Sequence, residues 1–506
     1  MLLQGVIHAK SVVNPKPLME TDGLQVSRNA RWAIAQTIIS ACVLFVLYRF
    51  LLKELGAEKL GLWSLILAST SLARIGELGF SSAILRFVGK YAGAGKQKDA
   101  AEILETALLS ISLPFMVLTA AAVPMIASVL HWFVPAKHMT DALVIVPWAM
   151  LALWLGVTGG LIQSAIDGCG RMDQRNIVLI VTNLLYLVLA VLMTPLLGLK
   201  GVAVAQVIQA SASLLIMWWL AKVQLGPLPW IPWRWRKDRF FEIAGFAFTM
   251  QIGSIAGMFV EPITKALISR FGGLEFLAYY EMANQVITRA RSVLISGFQA
   301  ITPQFAISNE QKIHKELFLQ SQKKVIDMGI PFMSLVMIAF PVISQMWIGR
   351  NEPTFIISGQ IIGMTWLLVT LLMPAYFFLT GTGRGFPVAI AHVITLVGTI
   401  IFGWTGGQLF SNVGPIVGAA ISLLIGNIYM YIIAVRNLFP YDRGVDVPKW
   451  IESRMLISGC ICLSTIGLNL FFTKYASGLL EHLSILTILT VVIVFLAFSS
   501  RIKIRK

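Results

Sequence analysis

Apolar runs of about 20 residues follow one another along almost the whole chain, and no polar stretch between them is long enough for a soluble domain. As a helix, each run can cross the bilayer core, which is about 30 Å thick. Of the 506 residues, 57% are hydrophobic and 13% are charged, whereas soluble domains carry about 25% charged residues. The chain is therefore predicted to be an all-α polytopic membrane protein. Its fourteen predicted spans lie near 29–52, 60–84, 103–130, 142–164, 176–197, 200–221, 240–268, 274–298, 325–347, 355–380, 386–408, 413–435, 453–473 and 482–500.

The positive charge of the chain indicates its orientation in the membrane. The chain has 40 Lys and Arg residues and 24 Asp and Glu residues, which gives a net charge of +16. If the N-terminus is cytoplasmic, 28 of the 40 basic residues fall in cytoplasmic segments, as the positive-inside rule requires. Both termini are therefore predicted to be cytoplasmic. The basic, Trp-rich connector "GPLPWIPWRWRKDRFF" is expected at lipid headgroups, and no nucleic-acid partner is predicted.

Two matching segments indicate an internal repeat. "GCGR" at Gly168 and "GTGR" at Gly381 begin ungapped matches at an offset of 213, and a weaker match at an offset of 216 places Gly56 on Gly272. Similar offsets predict two parallel six-helix lobes, related by an axis along the membrane normal. The predicted organisation is a cytoplasmic segment 1–28, an N-lobe 29–222, a connector 223–238, a C-lobe 239–436, and 437–506 with spans thirteen and fourteen and a basic tail.

Charged residues inside the spans are concentrated in spans one, two, seven and eight. Such residues are costly in a membrane and usually face a bundle interior or a wet cavity. In span eight the polar residues are three or four positions apart, so that they share one helical face. We therefore predict a polar cavity lined by Arg74, Glu77, Glu261, Lys265, Glu281, Asn284, Gln285, Arg289 and Arg291, with Arg49 and Lys265 at equivalent depths. The alternative is that pairs such as Arg74–Glu77 and Glu261–Lys265 are structural ion pairs.

Motifs for nucleotide binding or catalysis are missing from the sequence. The loop "GKYAGAGKQKD" resembles a phosphate loop, but Lys96 is followed by Gln97 where Ser or Thr is required. The loop is instead predicted to be a flexible cytoplasmic turn. The six histidines are dispersed and no nucleophile elbow occurs, so no enzyme activity, metal site or cofactor is predicted.

The segment from Leu55, "LGAEKLGLWSLILASTSLARIGELGFSSAILRFVGKYAGAGKQKDAAEI", resembles the polysaccharide-transport branch of the multidrug/oligosaccharidyl-lipid/polysaccharide (MOP) exporter superfamily, which includes O-antigen flippases of the Wzx type. The features that carry the resemblance are the turn at Leu55 and Gly56, the "LGF" from Leu78, and the basic loop from Lys90 to Lys98. The resemblance implies two six-helix lobes around a cavity lined by spans one, two, seven and eight. The fourteen spans and the long N-terminal segment depart from many O-antigen flippases.

The resemblance also implies a function. Such a protein moves a polyprenyl-diphosphate-linked oligosaccharide across the bacterial inner membrane by alternating access, for cell-surface polysaccharide assembly. Its partners would be the lipid-linked glycan, the bilayer and glycan polymerases. Arg74, Lys265, Arg289 and Arg291 would meet the diphosphate or acidic sugars. The alternatives are an ion-coupled multidrug exporter of the same superfamily and a membrane glycosyl- or phosphotransferase.

Overall fold

The computed structural model describes residues 23–71, 79–226, 228–251, 255–298, 305 and 310–439. The predicted spans thirteen and fourteen, and the predicted site residues Arg74 and Glu77, lie outside the described residues. The described chain is all-α, with one short 3₁₀ helix at Ala136–His138. Its α-helices are α1 (Gly23–Ser71), α2 (Phe80–Gly93), α3 (Gln97–Leu130), α4 (Met139–Gly168), α5 (Met172–Leu197), α6 (Leu199–Leu225), α7 (Lys237–Gln251), α8 (Ile255–Phe298), α9 (Gln311–Ile338), α10 (Phe340–Trp347), α11 (Pro353–Gly381), α12 (Gly385–Phe410) and α13 (Gly414–Leu438).

The helices are long and apolar enough for a multi-pass membrane protein. Within the described residues, eight helices could cross a membrane, or nine if α9 and α10, which are bent by 44°, form one span. Helix α8 is not among the eight. The count of fourteen spans stays a prediction.

The described residues divide into two compact units. Unit one contains the described residues within 23–47, 79–126 and 144–251. Unit two contains the described residues within 48–71, 127–143 and 255–439. A hydrophobic core in unit one is formed by α2, α3, α4, α6 and α7. In unit two, α8 packs against α11 and α12. The sequence-based lobes 29–222 and 239–436 stay a prediction.

Two glycines kink the longest helices at equivalent places. Gly56 in α1 has φ 79° and ψ 167°, and Gly273 in α8 has φ 80° and ψ 174°. This backbone region is essentially restricted to glycine, because a Cβ atom would clash. The kinks lie where predicted spans one and two, and seven and eight, were separated. The pairing of Gly56 with Gly272 in the weaker sequence match was therefore wrong by one position, because the structural counterpart of Gly56 is Gly273.

The sequence match at an offset of 213 pairs two glycines that have similar backbone conformations. Gly170 and Gly383, which the offset of 213 pairs with each other, both have positive φ, at 73° and 75°. Each lies in the turn that precedes a 26-residue helix, α5 or α12. The offset predicted from "GCGR" and "GTGR" therefore joins positions with the same local conformation.

The kink at Gly273 gives a stability prediction. Replacing Gly273 with alanine forces a Cβ atom into a backbone region that costs about 1–3 kcal/mol, so we expect the unfolding free energy to fall by that amount. Thermal unfolding of the detergent-solubilised protein measures it. The control is Gly159→Ala in α4, where an added Cβ meets no atom within 4 Å. A Gly273→Ala variant as stable as the control would show that the bend does not require glycine.

Candidate functional site

The candidate site is built on the second half of α8, which follows the kink at Gly273. Unit two contains residues 48–71, the C-terminal part of α1, and Gly61 in this part packs against Leu274, the residue after the kink. At Gly61, a Cβ atom would lie 1.8 Å from the Leu274 carbonyl oxygen. Only glycine allows this approach, and it brings the polar residues of α8 close to α1.

A buried ion-pair network joins the two halves of α8. Lys265, before the kink, is only 4% exposed, and its Nζ lies 2.7 Å from both Glu261 Oε1 and Glu281 Oε2. Glu281, after the kink, is 3% exposed, and its Oε1 accepts hydrogen bonds from Gln285 Nε2 (2.7 Å) and, at 3.5 Å, Tyr48 Oη. A buried charge is tolerated when it is paired and hydrogen-bonded in this way. The Glu261–Lys265 pair therefore has the geometry of the structural alternative considered from the sequence.

Two cations on the second half of α8, Arg289 and Arg291, lie outside this ion-pair network. Arg289 is half-buried, and in the described part of the chain its Nε is buried without a hydrogen-bond partner. The Arg291 guanidinium carbon lies 3.6 Å from the ring centroid of Trp366 in α11, which is a cation–π contact. Among the described residues, neither arginine forms a salt bridge. An arginine in this setting can donate to an anion with a bidentate fork.

The remaining predicted residues are placed as follows. Asn284 is half-buried on α8, one position before Gln285. Arg49 does not share the environment of Lys265. It is exposed on α1, where its Nη1 donates to the Met346 carbonyl oxygen at 2.5 Å. Arg49 lies seven residues before Gly56 and Lys265 lies eight residues before Gly273, so their similar depth stays a prediction. Their surroundings differ, because Arg49 is exposed and Lys265 is buried.

The basic loop is shorter and better anchored than predicted. Helices α2 and α3 leave a turn of only Ala94–Lys96 between them. Arg239, on the connector helix α7, pairs with Asp99 and, at 3.2 Å, with Glu242. It also donates to the Tyr91 hydroxyl at 2.8 Å. Burial and the hydrogen bond to Glu242 raise the pKa of the Tyr91 phenol, which keeps it protonated. These contacts join α2 and α3 to α7 within unit one, and the flexibility of the turn itself stays a prediction.

Sequence reasoning also missed a buried acid in unit one. Asp173, fully buried at the start of α5, pairs with Arg28 at 2.7 Å and Arg171 at 3.3 Å. It accepts a hydrogen bond from Gln25 at 3.2 Å, and its backbone N–H donates to Asn29. Asp173 was overlooked because it precedes the predicted span at 176. Trp366 was overlooked because an aromatic residue in an apolar span gives no signal of a cation partner.

No group of three His, Cys, Asp or Glu side chains in the described ranges could hold a metal ion.

Comparison with protein families identifies the chain. The description "Polysaccharide biosynthesis protein" applies to the family that matches residues 26–309, which is more than half of the sequence. The chain belongs to this family. The match includes the segment from Leu55 and reaches through α8. No curated protein sequence matches the chain.

Solved structures show the fold. An inward closed structure of the lipid II flippase MurJ has a TM-score of 0.70 at 13% identity, covering 94% of this chain and 98% of that chain. An inward-facing MATE-family multidrug transporter of the MOP superfamily has a TM-score of 0.65 at 15% identity, covering 81% and 99%. A MOP transporter from Pyrococcus furiosus, described as having a binding pocket of reverse polarity, has a TM-score of 0.58 at 16% identity, covering 81% and 95%.

These findings confirm the resemblance to the polysaccharide-transport branch of the MOP superfamily. The chain is therefore a multi-pass membrane protein of the polysaccharide biosynthesis family, with the fold of MOP-superfamily transporters. Sequence identities as low as these show the fold alone, so the substrate has to be argued from the side chains.

Proposed function

We propose that the protein is a flippase that moves a polyprenyl-diphosphate-linked oligosaccharide across the bacterial inner membrane by alternating access. The product would be a cell-surface polysaccharide such as O-antigen. The family supports a role in polysaccharide assembly, and MurJ, a lipid II flippase, supports lipid-linked cargo. The bilayer, the glycan and glycan polymerases are the proposed partners. The proposed architecture keeps the fourteen spans and two lobes.

The proposal depends on positive charge on α8 that no described carboxylate neutralises. Lys265 is already compensated by Glu261 and Glu281, at 2.7 Å each. The described second half of α8 therefore retains Arg289 and Arg291 as cations without a carboxylate partner. A diphosphate or an acidic sugar is the ligand that such guanidinium groups recognise.

The other proposed site residues have supporting roles. Asn284, and the groups of Gln285 that are not donating to Glu281, would hydrogen-bond sugar hydroxyls. Glu261 and Glu281 would hold Lys265 in place. Arg74 and Glu77 remain proposed members of the site on the sequence pattern alone.

A multidrug exporter is the second candidate, because MATE transporters share the fold. An organic cation needs an acidic site. Of the two acids described on the second half of α8, the buried Glu281 is engaged by Lys265, and the exposed Glu275 lies next to the kink, 14 residues before Arg289. The charge around Arg289 and Arg291 is therefore positive. The charge balance therefore favours an anionic cargo.

Transport in proteoliposomes separates the two candidates. Purified protein is reconstituted with a fluorescent polyprenyl-diphosphate-linked oligosaccharide, a neutral glycolipid with the same sugars, or an organic cation. We expect flipping of the diphosphate-linked compound only. Equal flipping of the neutral compound would show that Arg289 and Arg291 do not select the diphosphate. Accumulation of the organic cation alone would favour the multidrug exporter over the flippase.

The proposed orientation places both termini in the cytoplasm. Two exposed alanines test it: Ala94 in the turn after α2, and Ala136 in the 3₁₀ helix. In a background with all four cysteines replaced by serine, we expect Ala94→Cys to be labelled only after the membrane is permeabilised. A membrane-impermeant maleimide should label Ala136→Cys in intact spheroplasts. Labelling of both from one side would contradict the topology.

A further inference from the structure

A pocket lies in unit two, where α1 approaches its kink. It encloses about 440 Å³ and is lined by Arg49, Leu52, Lys53, Ala57, Glu275, Tyr279, Trp347, Ile348 and Arg350. Three of these residues are cations and one is a carboxylate. The others form a largely apolar wall. The pocket is distinct from the arginine pair on α8, because Arg289 is ten residues beyond Tyr279, about 15 Å along the helix.

One wall of the pocket carries uncompensated positive charge. Arg49 and Lys53 are four residues apart on α1, so they share a face, and both are exposed. Arg49 donates to the uncharged Met346 carbonyl oxygen, so the guanidinium keeps its charge and its other donors. In the described chain, neither Arg49 nor Lys53 forms a salt bridge with a carboxylate. Glu58, which is nearby on α1, is held by Lys137 at 2.7 Å.

The opposite wall is fixed by a network of hydrogen bonds. Arg350 donates to Glu352 Oε2 at 2.7 Å and to the Tyr279 hydroxyl at 3.2 Å. The buried Ser344 hydroxyl donates to the Arg350 carbonyl oxygen at 2.8 Å and accepts the Glu352 N–H at 2.9 Å. The loop after α10 is thereby held in one shape. Glu352 offsets the charge of Arg350, and the net positive charge therefore resides with Arg49 and Lys53.

We propose that this pocket binds a phosphate group through Arg49 and Lys53. Arginine supplies a planar fork that matches two phosphate oxygens, and lysine supplies a compact positive charge. The single lining carboxylate, Glu275, lies on α8 across the pocket. It lowers the net positive charge of the pocket, which suits one phosphate or diphosphate group rather than a longer polyphosphate. The apolar part of the wall, with Leu52 and Ile348, suits the carbon adjacent to that phosphate.

Binding of radiolabelled inorganic pyrophosphate to the full-length protein in neutral detergent tests the site. The double variant Arg49→Gln/Lys53→Gln is expected to weaken the apparent affinity at least tenfold. The matched control is Lys96→Gln/Lys98→Gln, which also removes two exposed cations but leaves the pocket intact. The control is expected to change the affinity less than twofold. Equal losses in both variants, or unchanged affinity in the first, would overturn the proposal.

The single variant Lys53→Gln covers the case in which loss of the Arg49 hydrogen bond prevents folding. We expect it to keep the thermal unfolding temperature and to weaken pyrophosphate binding three- to tenfold. Unchanged affinity in this folded variant would also overturn the proposal. No transport step is measured, so the result is independent of whether the protein moves a glycan.

The source of the phosphate is resolved in nanodiscs. Wild-type protein is compared in phosphatidylcholine alone and with phosphatidylglycerol added. If a lipid headgroup occupies the pocket, phosphatidylglycerol should weaken pyrophosphate binding by competition, at fixed ionic strength. If the natural ligand is a soluble or cargo-borne phosphate, affinity should be the same in both lipids. Either result supports a phosphate site and assigns its source.

Discussion

Replacing Arg289 with alanine is expected to abolish glycan export while the protein still inserts at normal levels. In the described chain, Arg289 forms no salt bridge and its Nε has no hydrogen-bond partner, so we expect its charge to be matched by an anionic group of the cargo. Loss of one partner from a desolvated charged contact costs about 2–5 kcal/mol, which corresponds to at least about a 30-fold loss of transport. Export of the surface polysaccharide, normalised to protein in the membrane, measures the effect.

Two further variants identify the reason for the loss. Arg289→Lys keeps the charge but not the bidentate fork, and it should retain part of the export. Arg270→Ala removes an exposed arginine from the same helix before the kink, and it should export normally. Full export by Arg289→Ala would remove this residue from the site. Low abundance of Arg289→Ala, restored by neutralising a carboxylate, would give it a structural role instead.

Replacing Lys265 with methionine is expected to produce the largest loss of stability. The substitution leaves the Glu281 carboxylate, which is 3% exposed, without its cation. Breaking a buried pair in this way costs about 3–5 kcal/mol. Thermal unfolding in detergent and the amount of folded protein in the membrane measure the loss.

A double variant and a single variant serve as controls for Lys265. Lys265→Met/Glu281→Gln removes both buried charges together and should recover most of the stability. Glu261→Gln acts on the same lysine from an exposed side chain, and it should cost less than about 1 kcal/mol. Wild-type stability of Lys265→Met would show that the buried pair does not hold α8. A double variant no more stable than Lys265→Met would assign the loss to something other than the stranded carboxylate.

The sequence predicted where the helices lie, but it showed the two kinks only as gaps between predicted spans. Hydropathy reports where apolar runs stop, so it separated the chain near Gly56 and Gly273. It could not report that each of these glycines adopts a glycine-only conformation, at which two helical segments meet in a kink. The 3.6-residue period placed Glu281, Gln285 and Arg289 on one helix, and α8 contains all three.

The partners of the site residues were harder to predict. The i, i+4 spacing of Glu261 and Lys265 suggested a pair, but the contact with Glu281 depends on how α8 bends. The Trp366 ring beneath Arg291 depends on how α11 packs against α8. Both contacts come from tertiary structure, which a one-dimensional pattern does not contain. The same limit applies to Arg49 and Lys265, because similar predicted depths do not determine that one side chain is exposed and the other buried.

The Lys265–Glu281 bridge has a mechanical consequence. It ties the two arms of α8 together across Gly273, and both of its ends are inaccessible to water that could replace a broken contact. Opening or closing the angle between the arms would separate two desolvated charges. Glycine makes the bend possible, and the bridge then locks it. We therefore expect α8 to move as one rigid bent unit, which places the pivot of the proposed alternating access outside α8.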